Sequence, residues 1–600
     1  METKIWQQVV AEKRRQRTRA ISAFVTKNLS DKEDRQAAYN AITEVNDIII
    51  LADRISSGKL RSEDTNCLTE ILFDDALEQA QELDTYYAKE KKTKGPLHGV
   101  PISLKDQFNV KCYDTTLGYT SKAFKPANND AVLVKILKKL GAIIICKTNL
   151  PQSIMLAETD NPLWGLTENP IIPGYTPGGS SGGESALIYS HGSLGGFGSD
   201  LGGSIRMPAS MMGLYGLKPS NSRLPYGGVP VSTDGQEHVP SSIGPLARSL
   251  STIYHLTKAI TLQEPWKQDC RCVPIPWRQS EYDMTVNSKL TIGVLYDDGV
   301  VKPHPSIVRV LAQAAAALAA DGHELVMWKP DLHAECIEVM DAYFTVDGGE
   351  DIRRDVEAGG EPFIPSVERL VNRGKPISVF DYWQLNKRKR ELQQAYLEKW
   401  NNTLSKKGKV VDAIIMPALP HAAVPHNTVK WVGYTKVWNL LNYTALVIPG
   451  GKVEARDVDA LWDHEPRNEL DEWNTRLWED NMHDMVKHHL PVDIQIVGRV
   501  LEEEKVLAVG KVLDDLLPLQ FSHTNYAQLY SMSLNRIIQD TDSCTLIYDE
   551  KKATKIIFTI SWTNEGDDFI FQNEEDAKFW ERVVRLCSAV SPLQKRIKTE

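Results

Sequence analysis

Two short stretches constrain this 600-residue chain more than any other part of it: Gly178-Gly179-Ser180-Ser181-Gly182-Gly183 and Gly198-Ser199-Asp200-Leu201-Gly202-Gly203-Ser204. Both lie in a region, 161–228, that is crowded with Gly, Ser and Pro and yet carries apolar segments of helical spacing at 186–189 and 207–217. So much glycine in a non-repetitive segment points to close backbone packing around a site and not to a linker. Glycines on either side of a serine let consecutive backbone N–H groups converge on one point with no Cβ in the way, which is how an oxyanion hole or a phosphate nest is built.

The flanking sequence sets the fold class. Val100, Ile102 and Leu104 alternate as in a strand, 132–140 has helical spacing, and Ile143-Ile144-Ile145 is a second apolar strand. Strand, helix, strand implies α/β. The pattern resumes with a strand at 290–295, a helix at 307–320 and a strand at 412–416, and runs to about Leu517. The first 90 residues read as a helical lead-in, with Trp6, Val9, Val10 and Ile42, Val45, Ile48, Ile49 at helical spacing. Past about Phe521, 546–548 and 555–560 read as a hairpin around Glu550-Lys551-Lys552. Phe579, Trp580, Val583, Val584 and Cys587 then mark an amphipathic helix, so the expected appendage is β-β-α.

Composition excludes several function classes. At 42% hydrophobic the chain can bury a large core, and a formal net charge of −10 leaves no excess of Lys and Arg to neutralise phosphates, so nucleic acid is not an expected partner. No apolar run approaches the ~20 residues that span a bilayer, and the N-terminus lacks the apolar stretch of a signal peptide. A cytoplasmic protein is expected. The eight cysteines are too scattered for a disulfide scaffold, and Cys270-Arg271-Cys272 lacks the spacing and the second pair of a zinc site, so no metal is expected.

Two common readings of the glycine-rich stretches fail. Gly178-Gly179-Ser180-Ser181-Gly182 fits G-x-S-x-G, but a nucleophile elbow needs a preceding strand, and Pro170, Pro173, Gly174 and Pro177 break one. There is no G-x-x-x-x-G-K-[ST] string, and G-x-G-x-x-G fails at Gly196 because Leu201 occupies the last position.

The two stretches together with Gly99-Val100-Pro101-Ile102-Ser103-Leu104-Lys105-Asp106 upstream and Asp200 to Ala209 resemble the amidase signature family. The resemblance covers about 97–517 and includes Gly216-Leu217-Lys218-Pro219 and Gln495-Ile496-Val497-Gly498-Arg499. Within the family the chain is most similar to fungal acetamidase-like enzymes, through 224–229, Asp347-Gly348-Gly349 and the helical stretch 380–400. The resemblance implies an α/β architecture with a mixed sheet covered by helices on both sides, and a catalytic domain over 91–521 between the lead-in (1–90) and the appendage (522–600). It implies hydrolysis of a linear carboxylic amide through an acyl-enzyme: Ser204 as nucleophile, Ser180 as the serine that passes its proton, Lys105 as base, and N–H groups of Leu201, Gly202, Gly203 and Ser204 as the oxyanion hole. No cofactor is implied. The partner would be a small-molecule amide, and a homodimer is compatible with the pattern.

Physical chemistry agrees with those roles. A serine needs a positioned base, and a lysine at the end of an apolar strand can be neutral because burial disfavours its charged form. Asp200 and Arg206 are expected to order the glycine-rich backbone, Ser181 to be a hydrogen-bonding neighbour, and His191 to be a packing or surface residue. Ser199 stands where Thr is more familiar, and Asn442 and Thr444 replace residues that are often Asp and Pro. Two alternatives share the motifs: a glutaminase-type subunit of an amidotransferase, and a non-catalytic amidase-like binding protein.

Overall fold

The computed structural model describes residues 5–28, 65–460, 462 and 465–517, together with three strands between 545 and 570. The chain divides into two compact units, Met1–Pro518 and Leu519–Glu600.

The first unit is built on one mixed sheet of eleven strands: β1 (Leu68–Ile71), β2 (Pro101–Lys105), β3 (Ile143–Thr148), β4 (Gly195–Asp200), β5 (Tyr215–Lys218), β6 (Ser242–Ala247), β7 (Thr291–Val294), β8 (Glu324–Met327), β9 (Ala413–Met416), β10 (Ala445–Lys452) and β11 (Pro491–Val497). Their spatial order is β1-β3-β2-β4-β6-β5-β10-β11-β9-β7-β8. The expected strand–helix–strand unit is present, with β2 and β3 parallel across the helix Val132–Lys139; further on, β7 and the helix Pro305–Ala320 lead first to β8, a strand not expected from the sequence, and the strand expected at 412–416 is β9, parallel to β7 on its other side. The other neighbours of β3, β4, β5, β10 and β11 are mostly antiparallel.

The period-2 alternation of a strand decides which side chains reach the site. Ile102 and Leu104 of β2 and Ile144 of β3 pack with Leu133, Val134 and Leu137 of the crossover helix on one face of the sheet. Ile143 and Ile145 point the other way, into a cluster that holds Phe24, Phe73, Ala76 and Ala186, Leu187 of the helix Gly182–Tyr189. Ser103 and Lys105 therefore share the face on which that helix lies, and every residue of β2, β3 and β4 is buried.

Four features depart from the expectations or extend them. Residues 207–217 are not one helix: Arg206–Met211 is helical, and Tyr215–Lys218 becomes β5, paired antiparallel between β6 and β10. Backbone pairing in the middle of the sheet overrides the apolar helical spacing. The glycine-rich 195–200 segment is a strand that carries none of the usual β-formers apart from Phe197. Its glycines make room for a helix, because a Cβ at Gly196 would lie 1.9 Å from Glu184 Oε2 and one at Gly198 2.5 Å from Ser181 Oγ. In the lead-in, helices Ile5–Asn28 and Phe73–Glu90 flank a strand, β1, that adds to the edge of the sheet against β3. Ile42, Val45, Ile48 and Ile49 lie outside the described residues. In the second unit β12 (Thr545–Ile547) and β13 (Ile557–Ser561) form the expected hairpin, and β14 (Gly566–Ile570) extends it to three strands. The helix expected at 579–587 lies outside the described residues.

Every side chain of the glycine–serine stretches belongs to the first unit. A chain ended at Pro518 is expected to fold and to release ammonia from a simple amide at the rate of the full chain. A truncated chain that folds without turnover would show that 519–600 complete the active site.

Candidate active site

The centre of the constellation is a wholly buried lysine. Lys105, at the C-terminal end of β2, is fully buried, and its Nζ donates to Ser180 Oγ at 2.6 Å and to Ser199 Oγ at 3.0 Å. Ser199 Oγ in turn donates to Gln107 Oε1, and Gln107 Nε2 donates to Tyr226 OH at 3.2 Å and to the Pro230 carbonyl at 3.3 Å. Burial pulls the Lys105 amine down to about 7 against the pull of Asp200 and Glu184, whose charges favour the ammonium form. A second buried lysine, Lys218, is also lowered to about 7 by burial and by Arg206 beside it, but its Nζ donates to the Pro219 carbonyl at 3.1 Å. Geometry separates the two, because Lys105 is the lysine bonded to the serines.

Ser180 follows Gly178-Gly179, with a cis Gly179–Ser180 peptide bond, and stands just before the helix Gly182–Tyr189. The next residue ties this turn to the second stretch: Ser181 N–H donates to the Ser204 carbonyl at 3.2 Å. Ser181 is thus a hydrogen-bonding neighbour through its backbone, while its Oγ packs against Gly198. Ser204 precedes the helix Arg206–Met211 and is the most accessible of the three candidate residues, 9% exposed against 1% for Ser180 and 0% for Lys105.

The loop that carries Ser204 is held by one buried ion pair. Asp200 accepts from Arg206 Nε at 3.0 Å and Nη2 at 2.9 Å, from Asn439 Nδ2 at 2.9 Å, and from the backbone N–H groups of Gly203 at 2.9 Å and Ile205 at 3.2 Å. Arg206 completes its donors on the Thr435 carbonyl, Gln495 Oε1 and Asn439 Oδ1. Burial alone would raise the Asp200 carboxyl, but Arg206 overcomes it, with Lys218 and Asn439 acting in the same direction, and holds the carboxyl well below the usual carboxylate range. Asp200 and Arg206 thus order the glycine-rich backbone. At Gly203 the φ of +130° and a would-be Cβ 2.4 Å from Thr435 Oγ1 both require glycine. Thr435 Oγ1 donates to the Gly202 carbonyl at 2.7 Å, which fixes the orientation of that peptide.

Of the four N–H groups expected at the oxyanion hole, that of Gly203 donates to Asp200 Oδ1 at 2.9 Å. Two buried groups were given no role at the site from the sequence. Ser199 is bonded to the lysine itself. Glu184 accepts from Ser103 Oγ at 2.6 Å and Thr148 Oγ1 at 2.8 Å, with its carboxyl raised to about 7 by burial. The Gly-Gly-Glu that opens a helix, read with the alternation of Ser103 and Lys105 on β2, was the available signal. His191 lies in the turn beyond the helix Gly182–Tyr189, at the end opposite Ser180 and roughly 12 Å away along the axis. Asn442 and Thr444 tie the 219–221 loop to the helix Glu503–Leu516: Asn442 Oδ1 accepts from Asn221 N–H at 2.6 Å, and Thr444 Oγ1 donates to Glu503 Oε1 at 2.7 Å.

Comparison with known proteins fits this arrangement. The family model described as Amidase matches residues 54–507. The chain belongs to the amidase signature family. It is 49% identical over 522 residues to "Amidase 1" of Gibberella moniliformis, covering 85% of this chain and 99% of that protein. It is 42% identical over 459 residues to "Acetamidase" of Emericella nidulans, covering 76% and 83%. Among solved structures it is similar to "Fatty acid amide hydrolase", with a TM-score of 0.73 and 30% identity over 86% of this chain and 92% of that one. The chain is a hydrolase acting on carbon–nitrogen bonds other than peptide bonds, in linear amides. Among the described residues no helix is long and apolar enough to cross a membrane.

Because Asp200 and Arg206 are both wholly buried, removing one leaves the other uncompensated. Arg206→Met is expected to cost ~3–5 kcal/mol in denaturant unfolding and to abolish turnover with it. A loss below about 1 kcal/mol would show that the pair does not organise the loop.

Proposed function

We propose that this amidase cleaves its substrate through an acyl-enzyme on Ser204, with Ser180 and Lys105 completing a Ser-Ser-Lys relay. The 2.6 Å contact between Lys105 Nζ and Ser180 Oγ carries this reading. A buried amine stands against a hydroxyl to which, among the described residues, no carboxylate or histidine is hydrogen-bonded.

In this reading the neutral Lys105 takes the Ser180 proton as Ser180 takes that of Ser204, and Ser204 Oγ attacks the amide carbonyl. The oxyanion is held by the N–H groups of Leu201, Gly202 and Ser204, aimed by the Asp200–Arg206 pair and by Thr435. The proton returns through Ser180 to the departing nitrogen, ammonia or amine leaves, and water repeats the sequence to release the carboxylate. Burial of Lys105 keeps a fraction of its amine unprotonated near neutral pH, which an exposed lysine with a pKa of ~10.4 would not do. The names of the relatives support a linear aliphatic amide as substrate, and ammonia release from a panel of short aliphatic, aryl-acetic and long-chain primary amides would define the acyl group.

Ser204→Ala is expected to leave a folded protein without turnover and without labelling by a serine-directed phosphonate. Labelling that persists would move the nucleophile away from Ser204, with Ser180 the next serine to test. Losses at Ser204 and Ser180 should be far from additive, since either removes the same relay.

The lysine must be neutral to accept a proton, so kcat/KM is expected to rise with pH along one ionisation with its midpoint near the value of about 7 set by burial. Lys105→Ala should remove that rise and cost about 10²–10⁴-fold. Lys105→Arg should not rescue, because a guanidinium keeps its proton throughout this range. A Lys105→Ala variant with the parent profile and most of its rate would make a histidine the leading base.

A further inference from the structure

The relay leaves one buried acid unexplained. Glu184 lies in the first turn of the helix Gly182–Tyr189, four residues after Ser180, with no exposed surface. Among the described residues neither an arginine nor a histidine pairs with it: both oxygens accept from hydroxyls, Ser103 Oγ at 2.6 Å and Thr148 Oγ1 at 2.8 Å. Those hydroxyls are attached to the lysine's own surroundings. Ser103 is two residues before Lys105 on the same face of β2, and Thr148 is the residue of β3 in register with Lys105. β4 is cut back to glycine to admit the carboxyl, since a Cβ at Gly196 would overlap Glu184 Oε2 and lie 2.5 Å from Ser103 Oγ.

We propose that Glu184 is a positioning residue for the amidase reaction, whose charge, held in the same dry compartment as the Lys105 amine, decides the pH at which that amine is free to accept a proton. This rests on the reading of Lys105 as the base.

The groups facing this compartment from each packed element leave Glu184 as the variable charge. β2 supplies Lys105, the cation whose charge acts on the Glu184 carboxyl. β3 supplies Cys146, and the residue before β1 is Cys67; burial pushes the Cys67 thiol up to about 11 and that of Cys146 well above its usual value, so both stay protonated. β4 supplies Asp200, which acts on Lys105 but is bound to Arg206 from the helix Arg206–Met211 and keeps its charge at all working pH. β6 supplies no titratable side chain. Glu184 and Lys105 remain, the acid raised and the base lowered by the same burial, and such a pair titrates together. The sign follows directly. An ionised Glu184 favours the ammonium form of Lys105, so removing that charge lets the amine form at lower pH.

The test is the pH profile of kcat/KM for Glu184→Gln in the full chain, beside the parent and Lys105→Ala. The substitution keeps the side chain's size and an acceptor for one hydroxyl while removing the charge. The rising limb is expected to move to lower pH by about one unit, whereas a purely structural role would lower kcat at every pH and leave the midpoint in place. A limb that stays put or moves to higher pH, in an enzyme whose Lys105→Ala variant has lost the limb, overturns the role of Glu184 and leaves Lys105 as base. A limb that survives Lys105→Ala overturns both. If Glu184→Gln does not fold, Ser103→Ala serves: loss of one hydrogen bond to the carboxylate should move the limb in the same direction by less, and a midpoint unmoved or shifted upward rejects the proposal.

Discussion

The contact on which the rest of this structure depends is the one between the Lys105 amine and the Ser180 hydroxyl, made where no water reaches. A lysine in water is an acid at neutral pH and no use as a base. Here the sheet removes the solvent: β2 is flanked by β3 and β4, the helix Gly182–Tyr189 covers the face on which Lys105 projects, and the amine is left among hydroxyls. Hydroxyls accept from an ammonium without compensating its charge, so desolvation prevails and the neutral form becomes accessible. An Asp or Glu in hydrogen-bonding contact would have reversed that outcome, and the two nearby acids are placed otherwise, Asp200 on Arg206 and Glu184 on Ser103 and Thr148.

The remaining architecture fixes the loop that carries the more accessible serine, Ser204. The Asp200–Arg206 pair reaches into the Gly203 and Ile205 amides on one side and into Thr435, Asn439 and Gln495 on the other. The loop bearing Ser204 is thereby fixed to strands and helices from the far end of the chain, Gln495 lying on β11. The two serine-bearing turns are then joined by the bond from Ser181 N–H to the Ser204 carbonyl. A buried pair of this kind contributes little net stability compared with an apolar substitute, but its loss is costly, which suits a device whose purpose is orientation.

Much of this was legible before any coordinates. The apolar runs at 100–104, 132–140 and 143–145 identified a strand–helix–strand unit, and the glycine–serine stretches identified where backbone would crowd around a site. What stayed hidden did so for physical reasons. The strand at 195–200 is made of residues that disfavour strands, because its glycines answer to a helix packed on them and not to strand propensity. Residues 207–217 have helical spacing, yet their second half is drawn into the sheet by β6 and β10, partners that are distant in sequence. Ser199 and Glu184 looked unremarkable because their importance lies in contacts with Lys105 and its neighbours across the sheet. The bond from Gly203 N–H to Asp200 is visible only once the carboxylate is positioned.

The protonation state of Lys105 can be observed without any substrate. In protein labelled with ¹³C at the lysine ε-carbon, with the signal assigned by its loss in Lys105→Met, the Lys105 resonance should titrate with a midpoint near about 7. A resonance that titrates near ~10.4, as an exposed lysine does, would contradict a buried neutral base and with it the chemistry derived from this site.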